Sequence, residues 1–285
     1  MQQVWMAHPH YKLGAHVPLQ RSVYETVLHA LEHGMTALQL FLGPPQSFVR
    51  RSVSIDDAER CKTLVHRFDV ALFSHAPYVY NLANPSSNID AILASLANEM
   101  HTVYKCGGRG VILHPGSNAD RRGGILSISS AINRMAWKQG DALLLENMAG
   151  QGNVLGDTLQ ELADMYNALN ETSRLHTFFC IDTAHLWGRG EYRISTTEGV
   201  QEFFSTTSQL ILVDGTKFID RVRLIHLNDS AVEYGSHVDR HALIAEGHVW
   251  THDQTSLKMW MDECSSRGIP MVMETDPSDM QKFLW

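Results

Sequence analysis

Eight short apolar runs, at 13–17, 37–42, 71–74, 110–113, 142–145, 178–181, 222–225 and 270–273, recur along the chain with longer segments between them. Segments 23–32, 89–104, 125–138 and 159–169 space their apolar residues as helices do. Strands therefore alternate with helices, and a sheet built that way is parallel. Runs such as ALLL at 142–145 are apolar throughout, as strands covered on both faces are. Eight such units close into a (β/α)8 TIM barrel. An open doubly wound sheet is the competing architecture, but no G-x-G-x-x-G follows any run. Segment 187–217 is the least periodic, with GRGEYRISTTEG reading as loop and QEFFSTTSQL as helix. Gly107-Gly108 and Gly123-Gly124 read as turns.

In such a barrel the loops at the C-terminal ends of the strands converge over one mouth and carry the chemistry. Six of the eight runs end in a side chain able to ligate metal: His75, His114, Glu146, Asp182, His226 and Glu274. His185, Asp239 and His241 follow in loops just beyond. Singly, each has an ordinary role; a strand-end His is usually hydrogen-bonded structure, and an Asp before a turn, like Asp182, caps the next helix. Jointly they favour a metal site, because buried carboxylates are costly unless paired or coordinated and several here aim at one mouth. Imidazole with carboxylate suits zinc and similar divalent ions, and a polynuclear centre suits displacement at phosphorus or another hydrolysis. His16 ends the first run in LGAHV and is expected at the mouth, behind the ligands or facing substrate. His29, His33, His66, His101 and His176 fall on helices or their flanks, where solvated faces are expected, and His8 and His10 form an HPH segment able to bind metal adventitiously.

An apolar share of 44% with 19% charged residues is that of one well-cored unit, so residues 1–285 are expected as a single domain with 1–11 as an N-terminal extension. No stretch approaches the roughly 20 apolar residues that span a bilayer, and the opening residues lack a basic start followed by an apolar block. A monomer, soluble and intracellular in cytoplasm or nucleus, is expected. Cys61, Cys106, Cys180 and Cys264 form no C-x-x-C pair and read as small buried hydrophobes. The net charge of −8 opposes a nucleic-acid partner. Three divalent ions would bring the balance to about −2.

The blocks HAPYVYNLA (75–83), LLLENMAGQG (143–152), FCIDTAH (179–185), HLNDSAVEYGSHVDRH (226–241) and VMETD (272–276) stand in this order along the chain. They resemble the signature blocks of the endonuclease IV family of abasic-site endonucleases, and the likeness runs from LGAHV to METD. The resemblance implies a DNA-repair hydrolase of base excision repair. It would act on double-stranded DNA, cutting the phosphodiester 5′ to an abasic site to leave a 3′-hydroxyl and a 5′-deoxyribose phosphate. It implies three divalent ions, zinc above all, with manganese the alternative. By motif, His75, His114 and Glu146 would hold the first ion. Glu146, Asp182, His226 and Glu274 would hold the second, and His185, Asp239 and His241 the third. Clustered ions activate water near neutral pH and neutralise charge on attacking and leaving oxygens, so no Ser or Cys nucleophile is needed. Glu146 and Glu274 are the expected catalytic carboxylates.

Tyr78 matches the family position that projects into DNA beside the lesion, and Arg240 in VDRH is placed to meet phosphate. Their ordinary alternatives are a packed aromatic and a surface ion pair. The stretch FLGPPQSF (41–48) departs from the basic, amide-rich loop of some members, leaving insertion into the duplex to Gln46 or a neighbour. Pro77, Ala184, Ala231 and Ala245 also replace usual family residues (Ser, Cys, Lys and Gly), and none of the four is a ligand type. Two further functions compete. A sugar isomerase or epimerase of the xylose isomerase-like group would use a set like Glu146, Asp182, His226 and Glu274 alone, and a lesion-binding protein without catalysis would keep the barrel only.

Overall fold

The computed structural model describes residues 11–84, 88–250 and 254–275. His8, His10 and most of the expected N-terminal extension lie outside them. Each of the eight runs is a strand: β1 (Leu13–His16), β2 (Ala37–Leu40), β3 (Ala71–His75), β4 (Gly110–Leu113), β5 (Leu143–Glu146), β6 (Thr177–Asp182), β7 (Val222–His226) and β10 (Met271–Met273). They close in the order β1-β10-β7-β6-β5-β4-β3-β2, every neighbouring pair parallel. A short antiparallel pair, β8 (Asp229–Ser230) and β9 (His241–Ala242), stands in the connection after β7. No helix among the described residues is long and apolar enough to cross a membrane.

The helices are α1 (Val23–Glu32), α2 (Ile55–Arg67), α3 (Ile89–Lys105), α4 (Arg121–Asn133), α5 (Leu159–Asn167), α6 (Glu171–His176), α7 (Thr183–Arg189), α8 (Thr197–Gln209) and α9 (Gln254–Ser266). Side-chain caps fix several starts, and two of them correct the sequence reading. The helix expected at 125–138 runs Arg121–Asn133, because Asp120 accepts from Gly123 N–H and starts it earlier. Gly123 and Gly124 are therefore helical rather than a turn; a Cβ on Gly124 would meet Leu155 Cδ1 at 2.4 Å. Thr196 likewise caps α8, so the end of GRGEYRISTTEG is helix rather than loop.

Side chains alternate across each strand. Leu143 and Leu145 pack outward against the helices, and Leu144 points into the lumen with Phe73, Ile112, Phe178, Cys180, Leu224 and Val272. Carried one step further up each strand, the alternation turns His16, Gln39, His75, His114, Glu146, Asp182, His226 and Glu274 inward, one from every strand. All are polar, and they sit directly on the apolar lumen layer. All four cysteines are buried, as expected. His176 departs from its expected solvated face: its ring stacks on Trp137 at 4.9 Å, and Nδ1 lies 2.8 Å from the Asp141 carbonyl. His101, on α3, is half-buried rather than fully solvated.

The segment that brings Asp239 and His241 to the mouth hangs on one carboxylate. Asp229, fully buried, accepts from the N–H of Ser230 (2.8 Å), Ala245 (3.0 Å), Gly247 (3.2 Å) and Val249 (2.8 Å). Asp229→Ala is expected to destabilise the fold by about 3 kcal/mol, since charge-assisted bonds to buried donors are lost together. Urea unfolding would show this as a lower midpoint at unchanged slope; an unchanged midpoint would refute it.

Candidate metal centre

The inward layer gathers its donors into overlapping groups. Atoms of His75, His114 and Glu146 lie within 4.8 Å of one another, as do those of Glu146, Asp182, His226 and Glu274, and those of Asp182, His185 and His241. Ligands about 2.0–2.2 Å from one ion are separated by up to about 4.4 Å, so a spread within 4.8 Å is within a few tenths of an ångström of one coordination sphere. Among these three groups, Glu146 belongs to two and Asp182 to two. Asp239 borders the last group, its oxygens 3.1 Å from His185 Nε2 and 3.3 Å from His241 Nε2. Neither contact has hydrogen-bond geometry, and both nitrogens are buried without a hydrogen-bond partner. Lone pairs converging on one point behave this way when they are arranged for a cation rather than for each other. The donor set, imidazole with carboxylate, fits zinc and similar divalent ions.

Local structure explains how each donor is held. Asp182 does two jobs: Oδ1 caps helix α7 by accepting from His185 N–H (2.8 Å), while Oδ2 faces the centre and accepts from Asn228 Nδ2 (2.6 Å). Its ordinary role and its site role therefore coexist. His185, expected in a loop, lies in the first turn of that helix, because the Asp182 cap starts it at Thr183. His185 Nδ1 lies 2.7 Å from the Asn147 carbonyl, which leaves Nε2 for the centre. Asn147 also accepts from Asp182 N–H (2.6 Å), and Asn228 accepts from Glu274 N–H (2.9 Å) while donating to its Oε2 (3.1 Å). Gln39 reaches His16, His226 and Glu274. Sequence reading passes over these three amides because amides are not preferred ligands. The visible signal for Gln39 is a polar residue inside the apolar run ALQLFL, in phase with inward Ala37.

The electrostatics follow from burial against mutual attraction. Burial opposes ionisation of Glu146, but the facing imidazoles of His226 and His114 outweigh it and hold the carboxyl well below its usual range. Glu274 is brought down to about 2 in the same way, burial being outweighed chiefly by His226. His16, half-buried beside this cluster, is pushed down to about 4 by burial, so it is neutral near pH 7. Cys180 shares a group with Glu146 and His226, but it belongs to the apolar lumen layer beneath the polar donors, where burial raises its thiol to about 12.

A cavity of about 410 Å³ opens onto the centre, lined among others by Tyr78, His114, Asp239, His241 and Glu274. Tyr78 is 45% exposed and lies over His114, ring centroids 5.3 Å apart at 24°. It is a packed aromatic whose outer face is free. Its N–H donates to the Pro45 carbonyl (2.9 Å), which ties the 41–48 loop to the mouth and leaves Gln46 exposed on that loop. Arg240 is exposed on the rim and makes no ion pair among the described residues.

Comparison with known proteins gives this geometry a family. A model described as a xylose isomerase-like TIM barrel matches residues 27–279. A probable endonuclease 4 from Nitratidesulfovibrio vulgaris is 33% identical over 272 residues, covering 93% of this chain and 92% of its own. The crystal structure of endonuclease IV from Thermus thermophilus is 26% identical with a TM-score of 0.78, covering 96% of both chains. A D-tagatose 3-epimerase-like protein, 16% identical with a TM-score of 0.63, covers 95% of this chain and 94% of its own and shares the fold alone. The chain belongs to the endonuclease IV family, a nuclease built on the xylose isomerase-like TIM barrel.

Proposed function

We propose that this nuclease incises double-stranded DNA at abasic sites as a monomer, hydrolysing the phosphodiester on the 5′ side to leave a 3′-hydroxyl and a 5′-deoxyribose phosphate. The observation that carries the reading is the overlap of three donor groups through Glu146 and Asp182 at one end of the barrel. His75, His114 and Glu146 would hold one ion; Glu146, Asp182, His226 and Glu274 a second; His185, Asp239 and His241 a third, zinc suiting this mixture better than manganese. Bound ions would supply an activated water and offset charge on the attacking and leaving oxygens. Glu146, buried, spans two groups and fixes their spacing. Glu274 borders the cavity, with Oε1 accepting from Gln39 and Oε2 from Asn228, so it reaches substrate in one fixed orientation. Both carboxylates are the catalytic pair of this reading.

Substrate recognition is assigned to Tyr78, Arg240, His16 and Gln46. An abasic nucleotide has no base to unstack, so it is extruded cheaply, and the exposed face of Tyr78 can fill the space beside it. Arg240 on the rim is free to meet phosphate. A sugar epimerase would make no use of His75, His114, His185, Asp239 and His241, and a lesion-binding protein without catalysis would need none of the donors. Their convergence supports the hydrolase.

Three outcomes test the reading on a labelled duplex with one abasic-site analogue, set beside undamaged duplex. Glu274→Ala is expected to lower incision by at least about 100-fold while the barrel stays folded; normal turnover removes Glu274 from the mechanism. Tyr78→Ala is expected to weaken binding to the abasic duplex by about 1–3 kcal/mol with metal content unchanged, and equal affinity counts against a stacking role. Exhaustive chelation should abolish incision and lower the melting temperature, zinc restoring both. Ion occupancy should fall as pH drops into the acid range, because only neutral histidines ligate. Full activity in chelated protein, or sugar epimerisation with one bound ion, would sink the proposal.

A further inference from the structure

Gln39 is fully buried at the upper end of β2 and is the one amide side chain in the inward layer. It meets three neighbours. Nε2 donates to Glu274 Oε1 at 2.9 Å and lies 3.1 Å from His16 Nδ1, and Oε1 lies 2.7 Å from His226 Nε2. Chemistry fixes the orientation of this amide. An ionised carboxylate only accepts, so the NH₂ must face Glu274. The oxygen then faces His226, whose Nε2 must carry a proton to make the contact. Nδ1 is then the ring nitrogen available to an ion, because it points at Glu146 Oε1 (2.9 Å), Glu274 Oε2 (3.3 Å) and Asp182 Oδ2 (3.8 Å). On the same side, tying down Glu274 Oε1 leaves Oε2 toward that group.

We propose that Gln39 is a positioning residue that selects the Nδ1-ligating tautomer of His226 and the inward orientation of Glu274, so that one amide pre-sets two of the four donors of the Glu146–Asp182–His226–Glu274 group. The inference rests on reading His226 and Glu274 as ligands. A hydrogen-bond partner on the non-ligating ring nitrogen both sets the tautomer and holds the ring plane, and losing it typically costs 10–100-fold in metal affinity. No other described residue contacts both His226 Nε2 and Glu274 Oε1. Gln39 is thus distinct from Asn228, which holds Oε2 and the backbone of Glu274.

The test uses Gln39→Leu, which removes both contacts at similar size, and Gln39→Glu, which keeps the acceptor for His226 but replaces the donor to Glu274 with a carboxylate. Zinc is titrated out of each full-length protein with a graded chelator series, and ¹⁵N-histidine spectra report which nitrogen of His226 is protonated. The expected result is one ion loosened by about 10–100-fold in both variants with the others unchanged. His226 Nε2 should be protonated in the wild type and in Gln39→Glu, and Gln39→Leu should lose that preference. If Gln39→Leu does not fold, Gln39→Glu carries the affinity test. Wild-type protein that takes up fewer than three ions would overturn the ligand reading and this role with it. Three ions held as tightly in the variants as in the wild type, or an unprotonated Nε2 in the wild type, would overturn the role of Gln39 alone.

Discussion

Closing eight parallel strands into a ring leaves a lumen with room for two facing directions only, and the alternation of each strand decides what enters it. Here the middle of the lumen is filled by Phe73, Ile112, Leu144, Phe178, Leu224 and Val272, and the next inward step on every strand is polar. That arrangement places Glu146 and Asp182 on a dry apolar floor, where an ionised carboxylate is unstable without partners. Everything around them answers this cost. Imidazoles converge from β3, β4 and β7, amides from Gln39, Asn147 and Asn228 donate to the carboxylates or brace the backbone beside them, and the nitrogens left over point at shared centres. A cation is the natural completion of such a set, because neighbouring carboxylates otherwise repel one another at short range.

The supporting loops extend the same logic outward. Helix α7 begins at the centre because Asp182 caps it, so the helix that positions His185 cannot move without moving a donor. Its end is set by Gly190, at φ 77°, where a left-handed turn lets the chain leave the mouth. On the other side Asp229 gathers four N–H groups from one loop and holds Ala245 at φ 64°, a conformation that favours the glycine common at this family position. The hydrogen bond from Ala245 N–H to Asp229 offsets part of that strain.

Much of this was legible before any coordinates, and the parts that were not share a cause. The eight strands could be read because buried parallel strands are apolar at every position, and six donors could be read because they sit where that pattern stops. Helix starts were misplaced at 121 and 197, where a capping Asp or Thr acts ahead of the apolar periodicity. Gly123 and Gly124 looked like a turn; their smallness serves the approach to Leu155, a contact across sequence that periodicity does not contain. Gln39, Asn147 and Asn228 were invisible for a related reason: an amide next to a ligand carries no signature of its own, and its role exists only once the barrel brings β2, β7 and β10, and β5 and β6, together. The pairing of Arg50 with Glu99 was equally hidden.

That pair bears on how an acidic protein meets DNA. Arg50 is the cation nearest in sequence to the 41–48 loop, which stands where some family members carry a basic one, but its side chain is 7% exposed. It sits 3.7 Å from buried Glu99, and its guanidinium donates to the carbonyls of Ser47 and Pro44. Burial pushes the Glu99 carboxyl up, while Ser74 and Arg50 pull the other way. Arg50 is therefore committed to holding the loop's shape and is not presented to phosphate. What the loop does present is Gln46, Phe48 and Val49, the last two 45% and 68% exposed, beside a Tyr78 whose backbone it grips. Under the proposed function, insertion beside the lesion then relies on apolar and aromatic surface, which suits a gap left by a missing base. Charge attraction would then fall to ions held by the donor groups and to rim residues such as Arg240. Under that division of labour, His75, His114, Glu146, Asp182, His185, His226, Asp239, His241 and Glu274 would hold ions whose charge also attracts phosphate, so losing those ions would weaken DNA binding as well as catalysis.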